Sequence, residues 1–484
     1  MEEEIFQERV EKLKRLRQFG IEPYNGAFSI SHSAHEVLSA FEDLEDKEVS
    51  LAGRIVALRV HGKATFAHLD DGESRIQAYF RYDTLGEEAY GIVTKLLDLG
   101  DILGIKGTVF KTKTGEVTVA VQEYRFLSKA LRNLPEKWHG LRDVELRYRQ
   151  RYLDFISNSR SRELVKLRAR IIFLTRRYLE DKGFLEVETP ILHPIPGGAL
   201  ARPFVTYHNA LGINLYLRIA PELYLKRLIV GGFNKIFELG RCFRNEGISS
   251  THNPEFTMLE VYQAYADYQD MMSLTEGLLS FVVKEIFGSY NIQLKGTDLN
   301  FTPPWPRITL SEAFRKHAGV GIEDLKDEGF RVQYLKEQGI KAEKKPTWAN
   351  VIDEILKKKV EPQLTGPVFL YRFPKILSPL SRNKPGEPDW VERFQPIILG
   401  LEMGNAYSEL ADPLEQRGRF LEQAKEKEKG EEEAHPMDED FVEALEYGMP
   451  PTGGLGIGID RLVMLLGEED SLREIITFPT LRPK

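Results

Sequence analysis

FRNEGISSTHNPEFTMLE, residues 243–260, puts one arginine, three glutamates and one histidine into a stretch that otherwise reads as two short strands and a turn. Arg244 and Glu246 are two apart, so in a strand they face one side while Phe243 and Asn245 face the other. After the turn ISSTHNP the run EFTMLEVY alternates again, with Phe256, Met258 and Glu260 on one face and Thr257 and Leu259 on the other. A hairpin that carries charge among apolar residues is either a solvated surface or the floor of a polar active site. The stretch alone fits both.

The C-terminal run GGLGIGIDRLVMLL, 453–466, bears on the choice. Glycines at 453, 454, 456 and 458 allow a ligand or a neighbouring backbone to approach closely, and the strand-like run leads through Asp460 and Arg461 into an apolar helix. It lacks the Gly-Lys-Ser/Thr ending of a P-loop and the spacing of a dinucleotide fingerprint. An arginine opening a buried helix needs an anionic partner.

A chain of 484 residues exceeds one core, which predicts two or three units. Its 42% hydrophobic and 29% charged residues are those of an ordinary soluble globular protein. No apolar run reaches membrane-spanning length, and the N-terminal MEEEIFQERVEKLKRL is charged and helical rather than a signal peptide, so a cytoplasmic protein is expected. The single cysteine, Cys242, excludes an intramolecular disulfide and a multi-cysteine zinc site. With a net charge of -8, any nucleic-acid contact must be local.

Residues 1–24 space Ile5, Val10, Leu13, Leu16 and Phe19 like one helix face, ending at Gly20 and Pro23. Between 49 and 128, three β-rich runs, a helical stretch near 86–98 and two further runs follow the order of a five-stranded oligonucleotide-binding barrel. Phe66, with Arg59 and Gln77 nearby, suits stacking and edge-reading of unpaired bases, and equally suits the barrel core. A basic connector, LPEKWHGLRDVELRYRQRYLDF, leads into a long mixed region. There, Leu164, Leu167, Ile171, Leu174 and Tyr178 mark an amphipathic helix over 163–182, and GFLEVETPIL reads as a strand stopped by Pro190. From about 265 to 365 the pattern is mainly helical and includes IEDLKDEGFRVQYLKEQGIKAEKK, which carries no identifiable chemistry; FLEQAKEKEKGEEEA, 420–434, reads as a solvated charged face.

GFLEVETPIL, FRNEGISSTHNPEFTMLE and GLGIGIDRLVMLL resemble motifs 1, 2 and 3 of the class II aminoacyl-tRNA synthetases, in chain order. PIPGGALARPF, LRIAPELYLKRLIVGG, HNPEFTMLEVYQAYADY and NAYSEL narrow the resemblance to the lysine-specific family, over nearly the whole chain. The resemblance implies an α+β protein. An N-terminal helical extension (1–45), an anticodon-binding five-stranded OB-fold β-barrel (46–132) and a linker (133–160) would precede a class II catalytic domain (161–484). That domain is built on a mixed, mainly antiparallel sheet flanked by helices, with a helical insertion at about 310–365.

It also implies a reaction: lysine and ATP give lysyl-adenylate and pyrophosphate, and lysine then passes to the 3′ end of its tRNA. Arg244 and Arg461 are the catalytic candidates, stabilising charge on the phosphates. Glu246, His252, Phe256, Glu402 and Gly458 join them at ATP. Gly198, Glu222, Arg244, Glu260, Tyr262, Asn405, Tyr407 and Glu409 are the candidates for binding lysine. In the barrel, Arg59, Phe66, Gln77 and Glu123 are the anticodon candidates. A homodimer through the motif 1 region, 163–190, is expected.

At the Mg2+ site this sequence departs from its relatives, which carry two glutamates seven residues apart. Glu402 is the second, but the first position is Gln395, whose amide oxygen brings no charge to a hard cation. Arg372 stands where relatives usually carry an acid, close enough in sequence to compensate. Two alternatives remain: a paralogue that lysylates a protein, against which the barrel counts, and a non-catalytic binding paralogue, against which Arg244, Glu246 and Arg461 count.

Overall fold

The computed structural model describes residues 2–24, 26–135, 141, 143–199, 201–340, 346–428 and 437–483. Two compact units result, Met1–Ser159 and Arg160–Lys484.

In the first unit, helix α1 (Glu2–Gln18) opens with three glutamates and closes with Arg15 and Arg17, complementing its dipole. Leu13 and Leu16 are buried as the spacing predicts, but Phe19 is exposed. Arg9 is buried in addition: its guanidinium donates to the carbonyls of Leu99, Ala130 and Arg132 and to Asn133 Oδ1, which spends the charge on satisfied acceptors. Strands β1 (Glu48–His61), β2 (Ala64–Asp70), β3 (Arg75–Arg81), β4 (Ile102–Lys111) and β5 (Val117–Ser128) close a barrel in the order β1-β2-β3-β5-β4, with α2 (Glu87–Leu96) between β3 and β4. Alternation fills the interior with Ala67, Leu69, Ile76, Ala78, Phe80, Val119 and Val121.

The second unit is organised by a ten-stranded mixed sheet. Helix α3 (Ser159–Asp181) precedes β6 (Leu185–Glu186); α4 (Glu222–Val230) precedes β7 (Lys235–Phe243), β8 (Glu255–Ala264) and α5 (Tyr268–Phe287). Then follow β9 (Arg307–Thr309), α6 (Trp348–Ile355), β10 (Val368–Pro374), β11 (Glu387–Ile398), β12 (Gly404–Ser408), β13 (Thr452–Gly458) and α7 (Ile459–Leu466). The strand order is β9-β10-β11-β12-β13-β8-β7-β6, antiparallel except for the outer pairs β9–β10 and β7–β6. One face is buried beneath α3, α5 and α7, where Leu259, Val261, Leu455 and Ile457 meet Leu174, Met271, Leu279 and Val463. Each such aliphatic side chain contributes about 1.5–3 kcal/mol by burial. The other face, left with Phe256, Met258, Glu260 and the β13 glycines, lines a cleft.

Three expectations change. The first strand of the opening hairpin stops at Phe243, and 244–254 form a loop closed by Arg244 N–H to the Pro254 carbonyl (2.9 Å). GFLEVETPIL keeps only Leu185–Glu186 as strand, because beyond Val187 the chain is held by side chains: Thr189 Oγ1 donates to Glu238 at 2.7 Å. The helical stretch 265–365 also contains a hairpin, Asn291–Leu294 with Thr297–Asn300, and β9. Its helical part has a separate core around Phe314, Leu325, Leu335, Ile352 and Val360. The charged helix of 420–434 is seen as part of Pro413–Glu428; its remainder, with 341–345 of the insertion and 136–140 and 142 of the connector, lies outside the described residues.

Candidate active site

The cleft on the open face of the sheet encloses about 350 Å³. Its floor comes from β8 and β13, which pair antiparallel with Glu260 opposite Gly456 and Tyr262 opposite Gly454. The glycines are there for their neighbours: a Cβ on Gly454 would sit inside the Glu409 carboxylate, and one on Gly456 would press on Glu260 Oε1 at 3.3 Å. Gly198, at φ +89°, brings the chain against Ala220 and Glu222, where a side chain would be both strained and crowded.

One end holds an anionic pocket. Glu222, at the first turn of α4, accepts from the Tyr407 hydroxyl and from Lys226 Nζ, each at 2.8 Å. Lys226 is fully buried, and its ammonium also forms an ion pair with Glu409. Burial works to lower the Lys226 pKa, but Glu222 and Glu409 outweigh it and keep the group charged. Burial and the neighbouring Glu222 push the Glu260 carboxyl up to about 8, although Tyr262 donates to it at 3.2 Å. Burial likewise raises Glu409, and it lifts the Tyr262 and Tyr407 hydroxyls well above their ordinary value. The pocket thus sets three carboxylates against one internal ammonium. With all three ionised, two negative charges are left for a ligand to compensate, and the upward shifts of Glu260 and Glu409 show that ionisation is disfavoured without one.

Beyond these carboxylates the polarity reverses. Arg244 lies 5.0 Å over the Phe256 ring, and its buried Nε has no hydrogen-bond partner among the described residues. Arg393 donates to Asn405 Oδ1 (2.6 Å), to the Leu377 carbonyl and to Ser378, so Asn405 is oriented by an arginine behind it. At the far end Arg461 donates to the Glu402 carbonyl at 2.9 Å and reaches its carboxylate at 3.4 Å, the anionic partner that the sequence demanded. His252 faces the same end with Nδ1 2.9 Å from Ser249 Oγ; desolvation and the Arg461 charge lower its pKa. Glu246 and Gly458 line this end too.

Of the candidate residues, Gly198, Glu222, Arg244, Glu246, His252, Phe256, Glu260, Glu402, Asn405, Tyr407, Gly458 and Arg461 share the cleft wall. Tyr262 and Glu409 are buried directly behind it.

The structure places the two residues expected to hold a metal, Gln395 and Glu402, in direct contact. Gln395 is buried, and its Nε2 donates to Glu402 Oε1 at 3.1 Å, while its Oε1 has no hydrogen-bond partner among the described residues. No three metal-ligating acids or histidines converge among the described residues. Arg372 does not compensate either: it sits at φ +65° in a break of the β10–β11 register and pairs with Glu387, off the cleft.

The barrel shows a second candidate surface. Phe66 is not core: it stacks on Tyr79 at 4.6 Å, and Tyr79 meets Phe110 at 6.1 Å, forming an aromatic platform on the outer wall. Gln77 donates to Glu116 at 2.7 Å, and His68 is 2.8 Å from the same carboxylate. Arg59 is exposed opposite Phe66. Glu123 is instead exposed opposite Lys106, past the stretch where β5 pairs with β3, and Glu116 is the acid that the fold brings to Gln77 and His68.

Reasoning from sequence also missed Lys226, Arg393 and Asp460. Lys226 was legible as the i+4 partner of Glu222 in PELYLK. Arg393 had no local signal. Asp460 was hidden by its neighbour: its carboxylate pairs with Arg168 of α3 and accepts the Thr257 N–H at 3.0 Å, while Arg168 donates to Thr257 Oγ1 at 2.8 Å.

Comparison with known proteins agrees with this geometry. Residues 143–482 match the family of class II tRNA synthetases (D, K and N), and residues 49–127 match the OB-fold nucleic acid binding domain. The chain is 54% identical to the lysine–tRNA ligase of Carboxydothermus hydrogenoformans, over 99% of this chain and 98% of that protein. It is 52% identical to that of Moorella thermoacetica, over 100% and 99%, and 51% identical to that of Bacillus subtilis, over 99% and 97%.

Proposed function

The chain belongs to the lysine–tRNA ligases of the class II tRNA synthetases, and from that premise we propose how its cleft binds lysine and ATP and carries the two-step reaction. The observation that carries the reading is the charge of the pocket. Once ionised, three buried carboxylates against one internal ammonium leave two negative charges, matching the two ammonium groups of lysine, and Arg244 stands beyond them for its carboxylate. Glu222 takes the α-ammonium; Glu260, Tyr262 and Glu409 surround the ε-ammonium; Asn405 and Tyr407 close the walls with Gly198. An amino acid without the second cation leaves a buried carboxylate unpaired and is rejected by about 10⁴-fold.

Phe256 stacks on adenine, with Glu246, His252 and Gly458 completing the nucleotide site. The lysine carboxylate attacks the α-phosphorus in line and pyrophosphate leaves. Arg244 holds attacking and attacked oxygens together and stabilises the charge that develops there, while Arg461 serves the distal phosphates. The ribose hydroxyl at the tRNA 3′ end then attacks the adenylate carbonyl and AMP departs. Synthetases of this family use ATP and generally need Mg2+. Glu402, with the unpartnered amide oxygen of Gln395 beside it, would hold that ion, which would neutralise charge on the ATP phosphates.

Residues 46–132 read the anticodon, with Phe66 stacking and Arg59, Gln77 and Glu116 at base edges. The barrel supports a tRNA acceptor rather than a protein one. A homodimer is supported by exposed apolar side chains in and after motif 1, among them Phe173, Leu185, Ile191, Leu192 and Val205. No helix among the described residues is long and apolar enough to cross a membrane, which accords with a cytoplasmic enzyme.

Pyrophosphate exchange with each of the twenty amino acids tests the reading. Exchange with lysine alone, followed by charging of a lysine tRNA that fails when its anticodon is changed, is the expected result. Exchange without charging would overturn the tRNA acceptor.

A further inference from the structure

We propose that Arg419 is a positioning residue for lysine: from a helix behind the cleft it fixes the wall segment Leu377–Ser381, to which the lysine-binding residues Asn405 and Glu409 are tied. That role rests on the lysine pocket assigned above.

Arg419 lies on the helix Pro413–Glu428, just ahead of the stretch that sequence pattern reads as a solvated face. Asp412 caps this helix, accepting the N–H groups of Leu414 and Glu415 at 2.9 and 3.2 Å, and Phe420 anchors it in a core that also holds Leu380 of the wall. Arg419 follows Glu415 by one turn, so both point to the same side. Arg419 is only 5% exposed, and its Nη1 donates to the carbonyls of Ser378 (3.1 Å), Pro379 (3.2 Å) and Ser381 (2.7 Å). Its Nη2 donates to Asn383 Oδ1 at 2.9 Å and to Glu415 Oε1 at 2.7 Å. The same Glu415 oxygen accepts from Lys375 Nζ at 3.2 Å and from Asn383 Nδ2 at 2.7 Å. The helix therefore grips the segment 375–383 at both ends and in the middle. Residues 378–382 belong to no regular strand, so their carbonyls have no ladder to rely on. A planar fork of donors meets that need, and the compact ammonium of a lysine does not.

The opposite side of the wall faces the cleft, which all five residues from Leu377 to Ser381 line. One end of the wall is locked to Glu409. Arg382 N–H donates to the Ser408 carbonyl at 2.8 Å and Leu410 N–H to the Leu380 carbonyl at 3.0 Å. These two bonds flank Ser381 and Glu409 and make them a non-hydrogen-bonded antiparallel pair, the closer of the two kinds, with both side chains on one face. The other end is held by Arg393, which donates to the Leu377 carbonyl and to Ser378 Oγ while it orients Asn405. Both ends therefore bear on lysine. No hydrogen bond of this network reaches Phe256, His252 or Arg461 among the described residues. A wall released by Arg419 would displace Glu409 and Asn405 and leave the nucleotide end in place.

The test is equilibrium binding by calorimetry of lysine and, separately, of ATP with Mg2+, to the full-length protein and its Arg419→Ala, Arg419→Lys and Arg417→Ala variants. Arg417 lies on the same helix but pairs with Glu439 and Glu446, away from the wall, so its variant reports the loss of a helix arginine alone. Arg419→Ala is expected to bind lysine about tenfold more weakly and ATP within about twofold of the parent. Arg419→Lys keeps the charge without the fork and should show the same split at smaller size. Arg417→Ala should bind both ligands as the parent does. A lysine affinity within about twofold of the parent in Arg419→Ala, an equal loss for lysine and ATP, or the same split in Arg417→Ala overturns the assignment while leaving the lysine pocket intact. Where Arg419→Ala does not fold, Arg419→Lys decides by the same criteria. A parent that binds ATP but not lysine overturns the lysine pocket itself.

Discussion

At the level of single residues, the proposed role of Glu260 would couple lysine binding to a proton. It is faced by Glu222, Tyr262, Arg244, Lys226 and Glu409, and in the empty site its carboxyl is pushed up to about 8. Near neutral pH it therefore holds a proton that an arriving ammonium must displace. Lysine affinity should rise with pH up to about 8 and then level off, with a proton released from Glu260 as lysine binds. Calorimetry in buffers of different ionisation enthalpy reads that proton directly. Stability of the ligand-free protein runs the other way. Below the unfolded value of 4.5 both states are protonated; between there and 8 only the native state keeps the proton. The empty protein therefore loses stability as pH rises through this window. Glu260→Gln should remove both slopes and weaken lysine binding; a Tm slope that persists in the variant would assign the proton elsewhere.

At the level of elements, the three synthetase motifs are joined by a buried strut. Arg168 of α3, Thr257 of β8 and Asp460 of α7 bond to one another, and Arg461 follows Asp460 immediately. Asp460→Asn leaves the Arg168 charge buried without its counter-ion, at a cost of about 3–5 kcal/mol. It also shifts the first turn of α7. Denaturant unfolding should show the loss, and KM for ATP should rise more than KM for lysine, because Arg461 moves and the lysine pocket does not. The strut shows where sequence reading stops. Alternation in EFTMLEVY gave the β8 faces correctly, since burial on one side fixes the register. The ends of GFLEVETPIL and of the first hairpin strand were misplaced because side chains hold them: Thr189 on Glu238, and Arg244 turned into the cleft. A local pattern encodes neither. Partners such as Arg168 and Asp460 are 292 residues apart, and nothing periodic links them.

At the level of the whole molecule, two units divide the work, and the net charge of -8 sharpens what the barrel must do. A chain that repels a polyanion overall needs local recognition, and the proposed reading surface on the outer wall of the barrel would supply it through stacking more than through charge. The aromatic platform of Phe66, Tyr79 and Phe110 was half legible: Phe66 stood out, but only the strand register sets Tyr79 opposite it. Sequence reading chose Glu123, whereas the fold bonds Glu116 to Gln77, for the same reason. Glu123 and Glu116 both lie on or beside β5, and which one meets Gln77 depends on how β5 pairs with β3. This assignment is testable because the two reactions are separable. Phe66→Ala removes a stacking surface that contributes about 1–3 kcal/mol per base, so KM for tRNA should rise about tenfold or more. Glu116→Ala should act likewise and relax discrimination at one anticodon base, while Glu123→Ala should leave charging unchanged. Lysine-dependent pyrophosphate exchange needs no tRNA and should be unaltered in all three. An equal effect of Glu123→Ala and Glu116→Ala would return the reading surface to the far end of β5; a loss of exchange in Phe66→Ala would show that the platform holds the fold instead of the anticodon.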